Sequence, residues 1–258
     1  MLKLAGRTAV VTGAAGGIGR GIALALARRG CHVALADIDE AALARTTAEI
    51  AGQESARSLR VSHYRLDVAN RAAVAALPAQ MMAAHGAVDI LVNNAGVALG
   101  GTFLEIAESD FDWLLGINFW GVVQMTRAFL PLLSNSEEAR IVNVSSLFGL
   151  IAPPGQTAYA ASKFAVRGFS ESLRHELADT RIGVTWCTPA ASPRRSPRMR
   201  ACRQAFLTTK PPSAAPFSIP SSPCRRKRPA KSSFAASNGE RPVFWSVRMP
   251  SMLNSSSG

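Results

Sequence analysis

Cysteine is scarce in this chain: there are four, Cys31, Cys187, Cys202 and Cys224, and none stands in a CxxC or CxxH spacing. The four histidines are scattered singly, so the sequence presents no metal-ligand cluster and no metal site is expected. No apolar run approaches the ~20 residues of a membrane span. The opening MLKLAGRTAVVTG also has too short an apolar run for a signal peptide and passes straight into a strand-like segment. These absences predict a soluble, cytoplasmic protein with reduced thiols and no membrane partner. Net charge is missing as well from residues 1 to 188, where 16 Lys+Arg balance 16 Asp+Glu. That part offers no field to draw a nucleic acid or an acidic surface.

What charge there is lies in residues 189 to 258, where 13 basic residues face Glu240 alone and account for the formal net charge of +12. The same segment holds 11 of the 15 prolines and 14 serines, and no window of it keeps a helical or strand period. Such a composition cannot bury enough apolar surface to offset roughly 1 to 2 kcal/mol of backbone entropy per residue. A low-order basic tail is therefore expected over 189 to 258. Its CRRKRPAK stretch, Cys224 to Lys231, is a basic patch of the type that binds polyanions or serves as a localisation signal. No aromatic residues interleave with those charges to stack on bases, which argues against nucleic acid as a partner.

Before the tail, apolar runs of strand length alternate with helical segments. The runs are TAVVT (8 to 12), HVALA (32 to 36), VSHYRL (61 to 66), VDILV (88 to 92), RIVNV (140 to 144) and IGVTW (182 to 186). Ile18, Ile22 and Leu26 recur at helical spacing and Gly30 follows as a C′ residue; a long helix is expected from about Ser109 to Leu133. Strand and helix alternating in this way predict an α/β fold with a doubly wound parallel sheet, a single Rossmann-like domain over residues 1 to 188 with six clear strands.

The turn TGAAGGIG, Thr12 to Gly19, falls where the first strand meets the first helix. A dinucleotide pyrophosphate needs backbone N–H groups at a helix N-terminus with no Cβ in the way, which the backbone of Gly13, Gly16, Gly17, Ile18 and Gly19 would provide. The spacing is GxxxGxG, and a plain tight turn is the alternative. About 20 residues on, Asp37 ends the second strand, where a carboxylate accepts hydrogen bonds from adenosine ribose hydroxyls and repels a 2′-phosphate. NAD is therefore favoured over NADP, unless Asp37 merely starts the next helix.

AYAASK places Tyr159 and Lys163 four residues apart, on one face of a helix. The setting matters, because the first 188 residues use only two lysines, Lys3 and Lys163, against 14 arginines, and the chain has two tyrosines. A compact ammonium at Lys163 would favour an ionised phenol and still reach a ribose hydroxyl. Ser146 closes the strand RIVNVSS, where its hydroxyl would point over the C-terminal edge of the sheet, and alternation sends Ser145 elsewhere.

With these residues in hand the chain resembles the short-chain dehydrogenases/reductases over about residues 5 to 189. The matches are the turn Thr12 to Gly19, Asp37, Asp67 with Val68, NNAG at Asn93 to Gly96, Asn118 in GINFWG, Ser146, and Tyr159 with Lys163. The resemblance implies an oxidoreductase that moves hydride between a nicotinamide cofactor and a secondary alcohol or ketone. Tyr159 would be the acid/base, Ser146 would hold the substrate oxygen, and Lys163 would bind the nicotinamide ribose and help the phenol give up its proton. Asn118 would interrupt its helix to hold a water in a proton relay. Asp67 and Val68 would frame the adenine, while Asn94, Ala95 and Gly96 would bring backbone against the adenosine-side ribose. Asn93 would brace the sheet. Structural alternatives stand beside two of these: Asn118 as a helix-kinking polar residue, and Asp67 as the N-cap of a helix starting near Asn70.

The family continues past its sixth strand with Pro-Gly, a threonine, a substrate-covering segment and a seventh strand. This chain has Pro189 and Ala190, no threonine until Thr208, and no recognisable last helix and strand. The Arg, Pro, Ser and Ala bias is that of a GC-rich gene read out of frame, so a shifted frame from about Thr188 is expected. A cofactor-binding remnant that catalyses nothing is the competing reading, since a missing strand leaves an unpaired edge and a missing cover leaves the nicotinamide wet. The resemblance also implies a homo-oligomer, though one usual interface would be built from the missing elements. LFGLIAPPGQT, Leu147 to Thr157, would line the pocket and is largely apolar, which points to an apolar small-molecule substrate.

Overall fold

The computed structural model describes residues 3–189 apart from 54, 55 and 57. The expectations for the tail, from the low-order segment to its basic patch, lie outside the described residues.

Six strands form one parallel sheet in the order β3-β2-β1-β4-β5-β6. They are β1 (Thr8–Thr12), β2 (His32–Asp37), β3 (Val61–Arg65), β4 (Ile90–Asn93), β5 (Ala139–Val144) and β6 (Ile182–Cys187). Each overlaps the apolar run that predicts it. The largest offset is at β4, which opens at Ile90 rather than Val88. The helices α1 (Gly17–Ala27), α2 (Glu40–Ala51), α3 (Arg71–His85), α4 (Glu108–Leu115), α5 (Gly121–Ser134) and α6 (Thr157–Glu176) make the crossovers.

Alternation along each central strand divides the core in two. Ala9 and Val11 of β1, Ile90 and Val92 of β4, and Val142 and Val144 of β5 pack with Ile22, Leu26, Leu43 and Ile50 from α1 and α2. Val10, Leu91 and Ile141 turn the other way, onto Leu77, Met81, Met125, Phe129 and Leu133 from α3 and α5. Both faces of the strands are thus covered, as a parallel sheet requires. Each fully buried Leu, Ile or Met contributes about 1.5–3 kcal/mol relative to exposure.

The helix ends follow local chemistry. Beyond α1, Gly30 adopts φ 78, Gly30 N–H is donated to Ala27 O (2.9 Å) and Cys31 N–H to Leu26 O (3.2 Å). This is the Schellman arrangement that a glycine at C′ permits. α2 is capped by Asp39, whose carboxylate accepts from Ala42 N–H, and α3 by Asn70, which accepts from Ala73 N–H. Neither Asp37 nor Asp67 is therefore a helix N-cap; Asp67 instead accepts from Ala69 N–H (2.9 Å) in the turn before Asn70.

The helix expected from Ser109 to Leu133 is not continuous. α4 and α5 are joined through a π turn, Gly116–Trp120, with Asn118 buried at its centre. A π turn widens the helix locally and breaks its face. Asn118 thus interrupts its helix, as expected, by a change of winding.

Strand order reverses between β1 and β4, which neighbour each other although β2 and β3 intervene in sequence. In an open α/β sheet a crevice opens there, outside the carboxyl ends of the strands.

Candidate active site

A cleft of about 750 Å³ occupies that crevice. Gly13, Gly16, Gly17 and Ile18 line one part, Asp37 another, Asn94, Ala95 and Gly96 a third, and Ser146, Tyr159 and Lys163 the rest. Four separate strand ends and two helices contribute, so the sequence-predicted residues converge although they span residues 13 to 163.

The glycine turn fits a phosphate-bearing ligand. Gly16 is the N-cap of α1 with no side-chain cap and no acidic residue in the first turn, which leaves the positive end of the helix open toward the cleft. A Cβ on Gly16 would meet nothing within 4 Å. Gly13 has φ +65, and a Cβ there would lie 2.9 Å from Ala95 Cα. Gly19 does not line the cleft; a Cβ on it would run into the Gly13 carbonyl oxygen, so this glycine lets α1 pack against the end of β1.

The rest of the turn is held by the neighbouring strands. Thr12 Oγ1 accepts from Asn94 N–H and Ala95 N–H, both at 3.0 Å, and Asn94 Nδ2 donates to Thr12 O (3.0 Å) and Gly13 O (3.1 Å). Asp37 accepts from Ala15 N–H at 3.0 Å, which ties the end of β2 to the turn and sets a carboxylate on the cleft wall. Asn93 lies behind, donating to Thr126 Oγ1 (3.1 Å) and Asn143 Oδ1 (2.8 Å), and so braces β4 against β5 and α5.

Across the cleft, Ser146 and Ser145 part company as strand alternation requires. Both border the cleft, but the Ser145 hydroxyl turns back to donate to Lys163 O (3.0 Å), whereas Ser146 Oγ accepts from Phe148 N–H (3.2 Å). With an acceptor position filled by that N–H, the hydroxyl proton of Ser146 is left to donate. Tyr159 stands in the first turn of α6, with Lys163 one turn on; the Lys163 ammonium lies 5.7 Å from the centre of the phenol ring. Lys163 is 5% exposed, and its hydrogen bond goes to Val144 O at 3.3 Å. Burial lowers its pKa from 10.5 to about 8, with a smaller opposing pull from Cys187.

Asn118 stands behind this wall. Its Oδ1 accepts from Val97 N–H (2.8 Å), and its Nδ2 donates to Val97 O (3.0 Å) and Ser162 Oγ (3.1 Å). Ser162 Oγ in turn donates to Tyr159 O (2.7 Å), so a buried chain of hydrogen bonds links the π turn to the helix that carries Tyr159. Asp67 and Val68 also lie off the cleft; Val68 packs on Gly121.

The arrangement matches a known family. The short chain dehydrogenase profile matches residues 7–195. The chain belongs to the short-chain dehydrogenase family. Its relatives include SadH from Mycobacterium tuberculosis, 46% identical over 177 residues that cover 69% of this chain and 63% of SadH. The chain thus spans less than two thirds of that relative. Oxidoreductase UcpA from Salmonella typhimurium is 41% identical over 73% of this chain and 70% of its own. Among solved structures, a short-chain dehydrogenase/reductase from Burkholderia phymatum in complex with NAD superposes with TM-score 0.70 at 40% identity, covering 75% of this chain and 68% of that one. A metagenomic short-chain oxidoreductase in complex with NADP superposes with TM-score 0.68 at 33% identity, covering 74% and 85%. Two of these solved neighbours hold nicotinamide cofactors, and the glycine cradle of this chain fits such a group.

Several site residues were not legible in the sequence. Leu147, Phe148 and Gln156 line the cleft from within the loop expected there, but Pro189, which also lines it, and Val97 and Ser162, which hold Asn118, were not singled out. Ser162 is one turn from Tyr159, so helical spacing would have placed it nearby. For the Val97 to Asn118 contact, between a loop and a turn 21 residues apart in sequence, there is no local signal.

Proposed function

We propose that this short-chain dehydrogenase interconverts a secondary alcohol and its ketone with NAD(H), using Tyr159 as acid/base. The observation that supports it most is that Ser146, Tyr159 and Lys163 open onto the same cleft as the glycine turn and Asp37. A bound nicotinamide would supply or accept the hydride.

This chain's own residues supply binding and proton management. The open N-terminus of α1 and the backbone of Gly13, Gly16, Gly17 and Ile18 receive the pyrophosphate. Asp37 takes the ribose hydroxyls and disfavours a 2′-phosphate, which makes NAD the preferred cofactor. Asn94, Ala95 and Gly96 wall the adenosine side. Ser146 donates its free proton to the substrate oxygen and holds it beside the phenol. Tyr159 gives that oxygen a proton in reduction and takes one in oxidation. Lys163, an ammonium buried at an energetic cost, supplies positive charge beside the phenol and hydrogen-bonds the nicotinamide ribose. The side chain of Asn118 is committed to Val97 and Ser162, so a relay water would be held by the backbone of its π turn. Leu147 and Phe148 give the substrate end an apolar wall, which suits an apolar alcohol or ketone.

The test is NADH titration followed by turnover against a panel of ketones, with Tyr159→Phe alongside. Cofactor binding, turnover, and loss of turnover in the variant are expected. Binding without turnover would select a cofactor-binding remnant. Turnover that survives Tyr159→Phe would remove the phenol from the mechanism.

A further inference from the structure

Phe148 touches both hydroxyl-bearing side chains of the substrate end. Its ring meets the Tyr159 ring edge to face, with centroids 6.0 Å apart and planes at 86°. Its backbone N–H is donated to Ser146 Oγ at 3.2 Å. We infer that Phe148 is a positioning residue, which sets the Tyr159 phenol and the Ser146 hydroxyl in fixed orientation to each other; this rests on the hydride-transfer reading above.

Tyr159 needs such a support. It sits two residues into α6, so its helix constrains the ring from one side only, and among the described residues its aromatic and cation contacts are Phe148 and the Lys163 ammonium. An edge-to-face pair fixes an angle as well as a distance, because the positive ring edge seeks the negative ring face. An aliphatic side chain would fill the volume without fixing the angle.

The support is itself held. Phe148 lies in the middle of a single 3-10 turn, Leu147–Gly149, capped by Ser146. Gly149 is buried against α6, where a Cβ would run into Ser145 Oγ and stand 2.9 Å from Lys163 O. The turn therefore packs directly on the helix carrying Tyr159 and Lys163, and its N–H fills an acceptor position of Ser146 Oγ and leaves that hydroxyl free to donate. One clamped turn thus orients the two groups that must meet the same substrate oxygen.

Phe148→Leu keeps the backbone N–H and removes the ring; Phe148→Tyr keeps both. The expected result is that Phe148→Leu lowers kcat roughly tenfold, the upper range for an aromatic pair, while NADH affinity holds and Phe148→Tyr recovers most of the loss. A readout independent of turnover is available, because the chain has only Tyr64 and Tyr159. With fluorotyrosine incorporated, the resonance that disappears in Tyr159→Phe belongs to Tyr159. Phe148→Leu should move that resonance and leave the Tyr64 resonance in place. An unmoved Tyr159 resonance overturns the inference, as does wild-type kcat in Phe148→Leu where Tyr159→Phe is inactive. Turnover that persists in Tyr159→Phe instead defeats the underlying reading, and the catalytic purpose of the support goes with it.

Discussion

Replacing Lys163 with methionine is expected to make the protein more stable while abolishing its turnover. The ammonium is almost wholly buried, and burial brings its pKa from 10.5 to about 8. At ~1.36 kcal/mol per pKa unit, keeping that charge inside costs the native state about 3 kcal/mol. The hydrogen bond to Val144 O at 3.3 Å is lost in the variant. That loss returns about 1 kcal/mol, leaving a net gain of roughly 2 kcal/mol. Methionine is close in length and adaptable, so packing adds little to the balance. With a urea slope of about 2 kcal/mol per molar, the midpoint should rise by roughly 1 M.

The pH dependence is the sharper part of the test. Because the native pKa lies below the unfolded one, the cost is complete below pH 8. It shrinks between about 8 and 10.5, as the native amine loses its proton while the unfolded chain keeps it, and is gone above that window. Wild-type stability should therefore climb relative to Lys163→Met as pH rises through it. Urea unfolding followed by tryptophan fluorescence at several pH values would show this. Equal midpoints below pH 8, or a gap that widens with rising pH, would refute the reasoning.

Other perturbations separate folding from binding. Gly19→Ala should destabilise by about 1–3 kcal/mol through overpacking against the Gly13 carbonyl, seen as a lowered Tm. Gly16→Ala faces open space and should leave Tm within experimental error while weakening NADH binding in a fluorescence titration. Asp37→Asn removes a charge and should raise the NADPH-to-NADH ratio of kcat/KM roughly tenfold or more, as measured with one ketone. Resequencing the coding DNA around codon 188 should reveal an insertion or deletion; an unbroken frame discards the shifted-frame explanation of the tail.

Much of this molecule was legible because its signals are local. Two-residue alternation in the runs of Ala9 to Val11, Ile90 to Val92 and Ile141 to Val144 marks strands covered on both faces, and the same alternation separates Ser145 from Ser146. The four-residue spacing of Tyr159 and Lys163 is a helical face. Capping was harder to read, since Asp37 and Asp39 both precede α2 and only Asp39 turns its carboxylate to the helix. The break at Asn118 was expected from the resemblance, but its form, a π turn held by Val97 and Ser162, depends on partners from other elements.

By itself, then, the sequence determined the order and kind of the elements, the glycine turn, and the pairing of phenol with ammonium, all consequences of backbone periodicity over a few residues. Tertiary structure alone decided which side chains face the cleft and which stand behind it, that Lys163 loses its water, and that Phe148 bridges Ser146 and Tyr159. Those outcomes arise because parallel crossovers carry strand ends that are distant in sequence to one edge of the sheet, where burial and contact follow from neighbours the chain meets only on folding.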